Sequence, residues 1–326
     1  MPVIDSRFQS PTWLRNGHAQ TILSVLLPRR VRVPFVRERL ELDDGDFLDL
    51  DWLRAGHSRV AILSHGLEGS STQRYVRGLA AALHATGWDV LAWNFRGCSG
   101  EINRLLRFYH SGETGDLAAI VRHAATTYPR ISLAGFSLGG NVTLKYLGEA
   151  APHPAVIGAV AISAPVDLAS CAQVLDERSE NAIYLRRFLA SLIAKIEAKE
   201  RNFPGQLDVA AAATVRSFRD FDGLYTAPLH GFRDAEDYWA KASSRPFIPS
   251  INVPALLLNA RNDPFLAPPA FPWEEAEASE HVFLEAPTTG GHVGFLDLAR
   301  GLEPWSERRV VEFLTAADAR SERGTS

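Results

Sequence analysis

GFSLGGN, residues 135–141, sets one serine between two glycines that stand two positions away on either side. Gly135, Ser137 and Gly139 fit G-x-S-x-G, the nucleophile elbow, in which a strand turns sharply into a helix and holds the serine in a strained conformation with its hydroxyl exposed. Side chains at the two glycine positions would collide with the strand or the helix. Three fixed residues are a weak signal alone, so the neighbourhood decides the reading. RISLAGF (130–136) is an apolar run of strand length, and LGGNVTLKYLGEA (138–150) has helical character and stops before Pro152. A strand, a tight turn and a helix are therefore expected, with Ser137 at the turn.

The same rhythm extends in both directions. VRERLEL (36–42) and FLDLDWL (47–53) alternate around DDGD and read as a hairpin. RVAILSHG (59–66), WDVLAWNF (88–95), AVIGAVAIS (155–163), VPALLLNA (253–260) and HVFLEAP (281–287) are short apolar runs of strand type. Between them lie the helical patterns QRYVRGLAAALHATG (73–87) and GDLAAIVRHAATTY (115–128), and SERRVVEFLTAADA (306–319) closes the series. Strands that are apolar on both faces and alternate with helices imply a mostly parallel sheet covered on both sides, an α/β fold. From about 168 to 250 no buried strand is legible, and ENAIYLRRFLASLIAKIEAKE and LDVAAAATVRSF read as helical. That stretch is expected to be a helical cap insert within a single domain of 1–326, overhanging the carboxyl edge of the sheet where such folds bind ligands. Residues 1–35 form an N-terminal extension expected to pack on the core.

Composition narrows the function. A chain of 326 residues, 46% apolar and 22% charged, is ordinary globular material. A formal net charge of −4 gives no electrostatic case for nucleic acid or for an anionic membrane surface. Two cysteines, Cys98 and Cys171, make no disulfide framework, and no CxxC or Cys/His cluster points to zinc. The N-terminus lacks the order of a signal peptide and no apolar stretch is long enough to span a membrane, so the expected location is cytoplasmic. The basic run PRRVRVPFVRER (28–39) leaves a peripheral membrane contact open, although a solvated face is its ordinary reading.

A serine hydroxyl needs a histidine base, and the histidine a carboxylate that fixes its tautomer. One arrangement of this machinery takes them in the chain order serine, acid, histidine. Asp263, in NARNDPF, follows the strand VPALLLNA; His292, in TTGGHVGF, lies in the glycine-rich loop after the next strand. Both are placed for the carboxyl end of the sheet. Asp167, after the strand ending at Ser163, is the rival acid. For the developing oxyanion, SHGLEGS (64–70) has the His-Gly turn that would present the Leu67 amide, and the Leu138 amide follows the nucleophile. Glu68 is expected to point away, since a negative charge there would oppose the oxyanion.

With those residues in view a resemblance emerges. HGLEGSS (65–71), NFRGCSGE (94–101), YHSGETGDL (109–117), GFSLGGNVTLKYLGE (135–149), FDGLYTAPLHGFRDAEDYW (221–239), LNARNDPF (258–265) and GGHVGF (290–295), with RNGHAQTI (15–22), resemble the bacterial YheT-like branch of the α/β-hydrolases over nearly the whole chain. The same branch includes eukaryotic membrane-anchored lipases and yeast medium-chain ethyl ester synthase/esterases. The resemblance implies a serine carboxylester hydrolase acting on short- to medium-chain acyl esters or acylglycerols, a small-molecule substrate, no metal or organic cofactor, and the triad Ser137, Asp263 and His292. The eukaryotic relatives carry an N-terminal membrane segment, and this sequence shows none.

Three other readings use the same residues. An acyltransferase would let an alcohol replace water in the second step. A non-catalytic binding protein on the same scaffold would ordinarily have lost a triad member, and all three are present. A peptidase would want an acidic pocket for an amine, and none is marked. Tyr184, Phe188, Phe218 and Phe221 are candidates for an acyl tunnel or, equally, for the core of the insert. His110 and Asp116 are read as part of a turn entering a helix, and Cys98 as a small turn residue without a base.

Overall fold

The computed structural model describes residues 3–324. Nine strands form one sheet in the order β1-β9-β8-β7-β6-β4-β5-β3-β2, comprising β1 (Val3–Ile4), β2 (Val36–Glu41), β3 (Phe47–Leu53), β4 (Arg59–Ser64), β5 (Asp89–Trp93), β6 (Arg130–Phe136), β7 (Val156–Ile162), β8 (Ala255–Leu258) and β9 (Val282–Glu285). Neighbours from β1 to β5 run parallel, and β3 is antiparallel to both β5 and β2. The helices that matter for the site are α1 (Gly17–Leu26), α2 (Arg74–His84), α3 (Thr114–Ala125), α4 (Leu138–Glu149), α5 (Leu168–Glu177) and α6 (Ala182–Asn202), and a long helix at Trp305–Gly324 ends the described chain.

Two apolar cores lie on the two faces, and single strands feed both by alternation. On β4, Val60 and Ile62 enter the core that holds α3, α4 and the insert, whereas Ala61 and Leu63 enter the one that holds α2 and the Trp305–Gly324 helix. On β6, Ile131 and Leu133 divide from Ala134 and Phe136 in the same way. This two-sided burial is why the strands read as continuous apolar runs. β3 is an exception in content: Asp49 and Asp51 are buried in it, each held by a two-pronged bond from an arginine of β2, Arg39 to Asp49 and Arg37 to Asp51.

Between β7 and β8 the described chain contains helices and turns and no strand. LDVAAAATVRSF departs from expectation, forming only a 3-10 turn at Ala211–Thr214 and then a four-residue helix at Phe218–Phe221. The latter is capped by Ser217 and Asp220 in a reciprocal box. At the start of the chain, β1 adds a parallel edge strand to β9, and α1 is capped by Asn16.

Candidate active site

The elbow is built as the glycines require. Ser137 lies at φ 52°, ψ −119°, a left-handed conformation for a residue with a side chain, between β6 and α4. Its N–H donates to the Ile162 carbonyl at 2.8 Å and its carbonyl accepts from Gly140 N–H at 2.9 Å, so both neighbours hold the strain in place. A Cβ on Gly135 would sit 2.2 Å from the Gly139 carbonyl oxygen, and one on Gly139 2.5 Å from the carbonyl oxygens of Ser64 and His65.

Asp263 and His292 meet: the His292 Nδ1 stands 2.8 Å from Asp263 Oδ2. A carboxylate on Nδ1–H leaves Nε2 as the nitrogen with the free lone pair. Asp263 is buried, and its other oxygen accepts from Phe265 N–H at 2.9 Å. The Phe265 ring packs on the imidazole at 4.3 Å. Asp167, the rival acid, is used otherwise, capping α5 through a 3.0 Å bond from Ser170 N–H.

Ser137, His292, Leu67 and Leu138 line one cleft of about 610 Å³, its open mouth included. Its other walls come mainly from the insert, notably Leu168, Leu175, Phe188, Phe218 and Trp239. Phe188 and Phe218 are thus brought to the cleft. Tyr184 instead packs between His18 and Phe265, and Phe221 is enclosed in the core.

The turn that carries Leu67 is fixed by hydroxyls on either side: Gly66 N–H donates to Tyr75 at 3.0 Å and Glu68 N–H to Tyr109 at 2.8 Å. His65 braces it from beneath, its Nδ1 donating to the Gly66 carbonyl at 2.7 Å and its Nε2 accepting from Phe95 N–H at 3.2 Å. Burial pushes this imidazole down to about 4, so it stays neutral. Glu68, at φ 51°, turns its carboxylate from the cleft into a polar cluster with Tyr109, Ser191 and Lys195. Burial alone would raise this carboxyl, but Lys195 and the three hydrogen bonds outweigh it and hold the group below its ordinary range. Ser191 and Lys195 belong to α6, so the insert touches the turn directly.

Sequence reasoning missed Lys195, Ser191, Tyr109 and the N-terminal partners of the His292 loop. His292 N–H donates to Thr21 Oγ1 at 2.8 Å, Gln20 bonds Leu296 through both backbone groups, and the Asn262 amide reaches the Arg15 carbonyl at 2.8 Å. RNGHAQTI contains these residues, but no spacing rule links them to a loop some 270 positions away. Cys98 lies with its sulfur 3.1 Å from Lys195 Nζ, its thiol pushed up to about 11 by burial, which leaves it a poor nucleophile. Asp116 is bound by Arg96 through two bonds, and His110 is half-buried, its Nδ1 accepting from Gly112 N–H. Away from the cleft, His57, His84 and Asp89 offer ligand atoms within 4.8 Å of one another. Asp89 already accepts from Ala55 N–H and Tyr128, and His84 Nδ1 from its side faces the Trp88 carbonyl.

The profile of the alpha/beta hydrolase fold family matches residues 62–298. YheT of Escherichia coli (strain K12), a protein named as an esterase, is 38% identical over 310 residues, covering 92% of this chain and 90% of its own. The chain belongs to the α/β-hydrolases, in their YheT-like branch. Within that branch it is also similar to the mouse phospholipase ABHD3, at 29% identity over 308 residues, 91% of this chain and 75% of the relative. The Pyrococcus furiosus esterase Pf2001 has the same fold, with a TM-score of 0.58 at 20% identity over 89% of this chain and 98% of that one. The protein is accordingly a carboxylester hydrolase of the α/β-hydrolase family.

Proposed function

We propose that the cleft hydrolyses acyl esters through a covalent acyl-enzyme. His292 Nε2 takes the Ser137 proton as Oγ attacks the ester carbonyl, the Leu67 and Leu138 amides hold the oxyanion, and Asp263 steadies the imidazolium. The proton passes to the departing alcohol; water, activated by the same nitrogen, then breaks the Ser137 acyl ester and releases the acid. The observation that carries this reading is the conjunction in one cleft of a strained Ser137 at φ 52° with a His292–Asp263 pair at 2.8 Å.

The substrate is a short- to medium-chain acyl ester, with the 168–250 insert acting as the lid. Support comes from the walls: Leu168, Leu175, Phe188, Phe218 and Phe265 are apolar and offer an acyl chain little to hydrogen-bond. Hydrolysis of a p-nitrophenyl ester series from acetate to palmitate, run beside Ser137→Ala, tests both parts. The expected result is a rate optimum at short or medium chains that the substitution abolishes. Undiminished turnover by Ser137→Ala would remove Ser137 from the mechanism, and an optimum at palmitate would refute the chain length.

A further inference from the structure

Among the described residues seven large apolar side chains are exposed, and four of them, Trp13, Ile22, Val25 and Leu26, fall within one short segment. Trp13 is 70% exposed and Leu26 67%. On α1, positions 22, 25 and 26 share a face, while the buried residues are Gly17, Gln20 and Thr21. The helix is therefore inverted, polar toward the protein and apolar outward, the reverse of an ordinary surface helix. On the insert Ile183 is 68% exposed, and the next residue, Tyr184, stacks its ring on His18 of α1 at 5.8 Å.

Arginines gather at the other end of α1. Arg74 donates to the carbonyls of Val25 and Leu27 at 2.6 and 2.8 Å, and Arg29, Arg30, Arg32, Arg74 and Arg77 line a surface depression with Val31. Arg29 is committed to Glu307. Among the described residues Arg30, Arg32, Arg74 and Arg77 have no acidic partner, and the Arg77 Nε is buried without any hydrogen bond. This cationic concentration sits on a chain of net charge −4, so it is a local feature and not a reflection of bulk composition.

We propose that this face docks on an anionic phospholipid bilayer, with Trp13 and the α1 stripe entering the interface and the arginine depression receiving a lipid phosphate. An apolar stripe flanked by arginine, with a tryptophan at the boundary, is the chemistry of an in-plane interfacial helix. The docked face also leads to the cleft: Tyr184 packs on Phe265 at 4.8 Å, and Phe265 on His292 at 4.3 Å. An ester drawn from the bilayer would enter beside the base. This last step rests on the acyl-ester reading of the cleft; the docking itself does not.

The test is sedimentation of the full chain with vesicles of phosphatidylcholine alone or mixed with phosphatidylglycerol, alongside hydrolysis of soluble p-nitrophenyl butyrate. Wild type should bind the mixed vesicles, Ile22→Asn/Leu26→Asn should lose binding at least tenfold, and Arg30→Gln and Arg32→Gln about fivefold each, all with the soluble-ester rate unchanged. Three results overturn the docking: no preference for the anionic vesicles, equal binding by wild type and variants, or a dimer of the free protein that Ile22→Asn/Leu26→Asn dissolves, which would assign the stripe to a second copy. Release from vesicles by inorganic phosphate at matched ionic strength, with the apolar variant binding normally, would assign the depression to free phosphate instead. Vesicle binding without soluble-ester turnover would leave the docking intact and refute the function proposed for the cleft.

Discussion

Lys195→Met isolates the contact between the insert and the turn that carries Leu67. The ammonium lies 2.6 Å from Glu68 Oε1, both side chains are at most 10% exposed, and the charge also faces the Tyr109 ring at 4.6 Å. Methionine keeps the volume and deletes the charge, leaving a buried carboxylate with two neutral hydroxyl donors. Removing one member of such a pair costs about 3–5 kcal/mol, because the survivor is uncompensated. With an unfolding entropy of about 0.7 kcal/mol/K for 326 residues, that is a fall in Tm of about 4–7 °C. The pH dependence carries the sign. In wild type the Glu68 carboxyl is held below its ordinary range, so its contribution is present above the unfolded value of 4.5 and is lost as pH falls through the folded one. In Lys195→Met burial is left to raise the group, so the deficit is largest near neutrality and shrinks as pH falls. Glu68→Gln on top of Lys195→Met should recover most of the loss. Thermal melts between pH 5 and 8, with p-nitrophenyl butyrate turnover beside them, read every part. A Tm within about 1 °C of wild type at pH 7.5, or a double variant as unstable as the two single losses added, would refute the argument.

Asp263→Asn should leave the fold intact and lower kcat by about 10⁴, since an amide no longer selects the Nδ1–H tautomer of His292; steady-state kinetics on the soluble ester checks it. Asp222, in the cleft wall, accepts from Thr226 and Trp239, and burial raises its carboxyl to about 7. An acid whose folded value is raised destabilises the fold as it ionises, so stability should fall as pH rises from about 4 through 7, by on the order of 4 kcal/mol in the limit. Asp222→Asn should flatten that profile in melts from pH 5 to 8; an unchanged slope would show that Asp222 does not set it.

What was legible followed from burial on two faces and from glycine. β4 to β9 are apolar runs because each lies between two cores, and Gly135 and Gly139 stand where a Cβ would strike backbone. That Asp263 and His292 would meet was legible because each follows a strand at the carboxyl edge of the sheet. The alanine-rich stretch misled because helix propensity is a weak prior. There the chain, which follows Pro204-Gly205, is used in short turns, and its Asp208 carbonyl accepts from the Tyr225 hydroxyl. Glu68 was expected to face away, and it does; that its partner would be a lysine far along the chain could not be read, because packing of the insert sets that pairing and no local period records it. The two residues of β1 are too few to show any alternation.

α1 shows why an inverted helix can serve this fold. Its inner face needs polar atoms because it meets backbone: Gly17 packs so closely that a Cβ would fall 1.9 Å from the Asn262 carbonyl, Gln20 satisfies both groups of Leu296, and Thr21 holds the His292 amide. Leucine in those positions would leave the N–H and C=O groups of the His292–Leu296 loop without partners, at about 1–3 kcal/mol each where they are buried. The inner face is thereby fixed as polar by the loop it supports, and the helix's apolar residues are left to the outside. One ten-residue helix thus carries two constraints on opposite sides, the position of the His292 loop within and the proposed bilayer contact without. Substitutions should separate them: changes at Gln20 or Thr21 fall on turnover of soluble esters, and changes at Ile22 or Leu26 on vesicle binding alone.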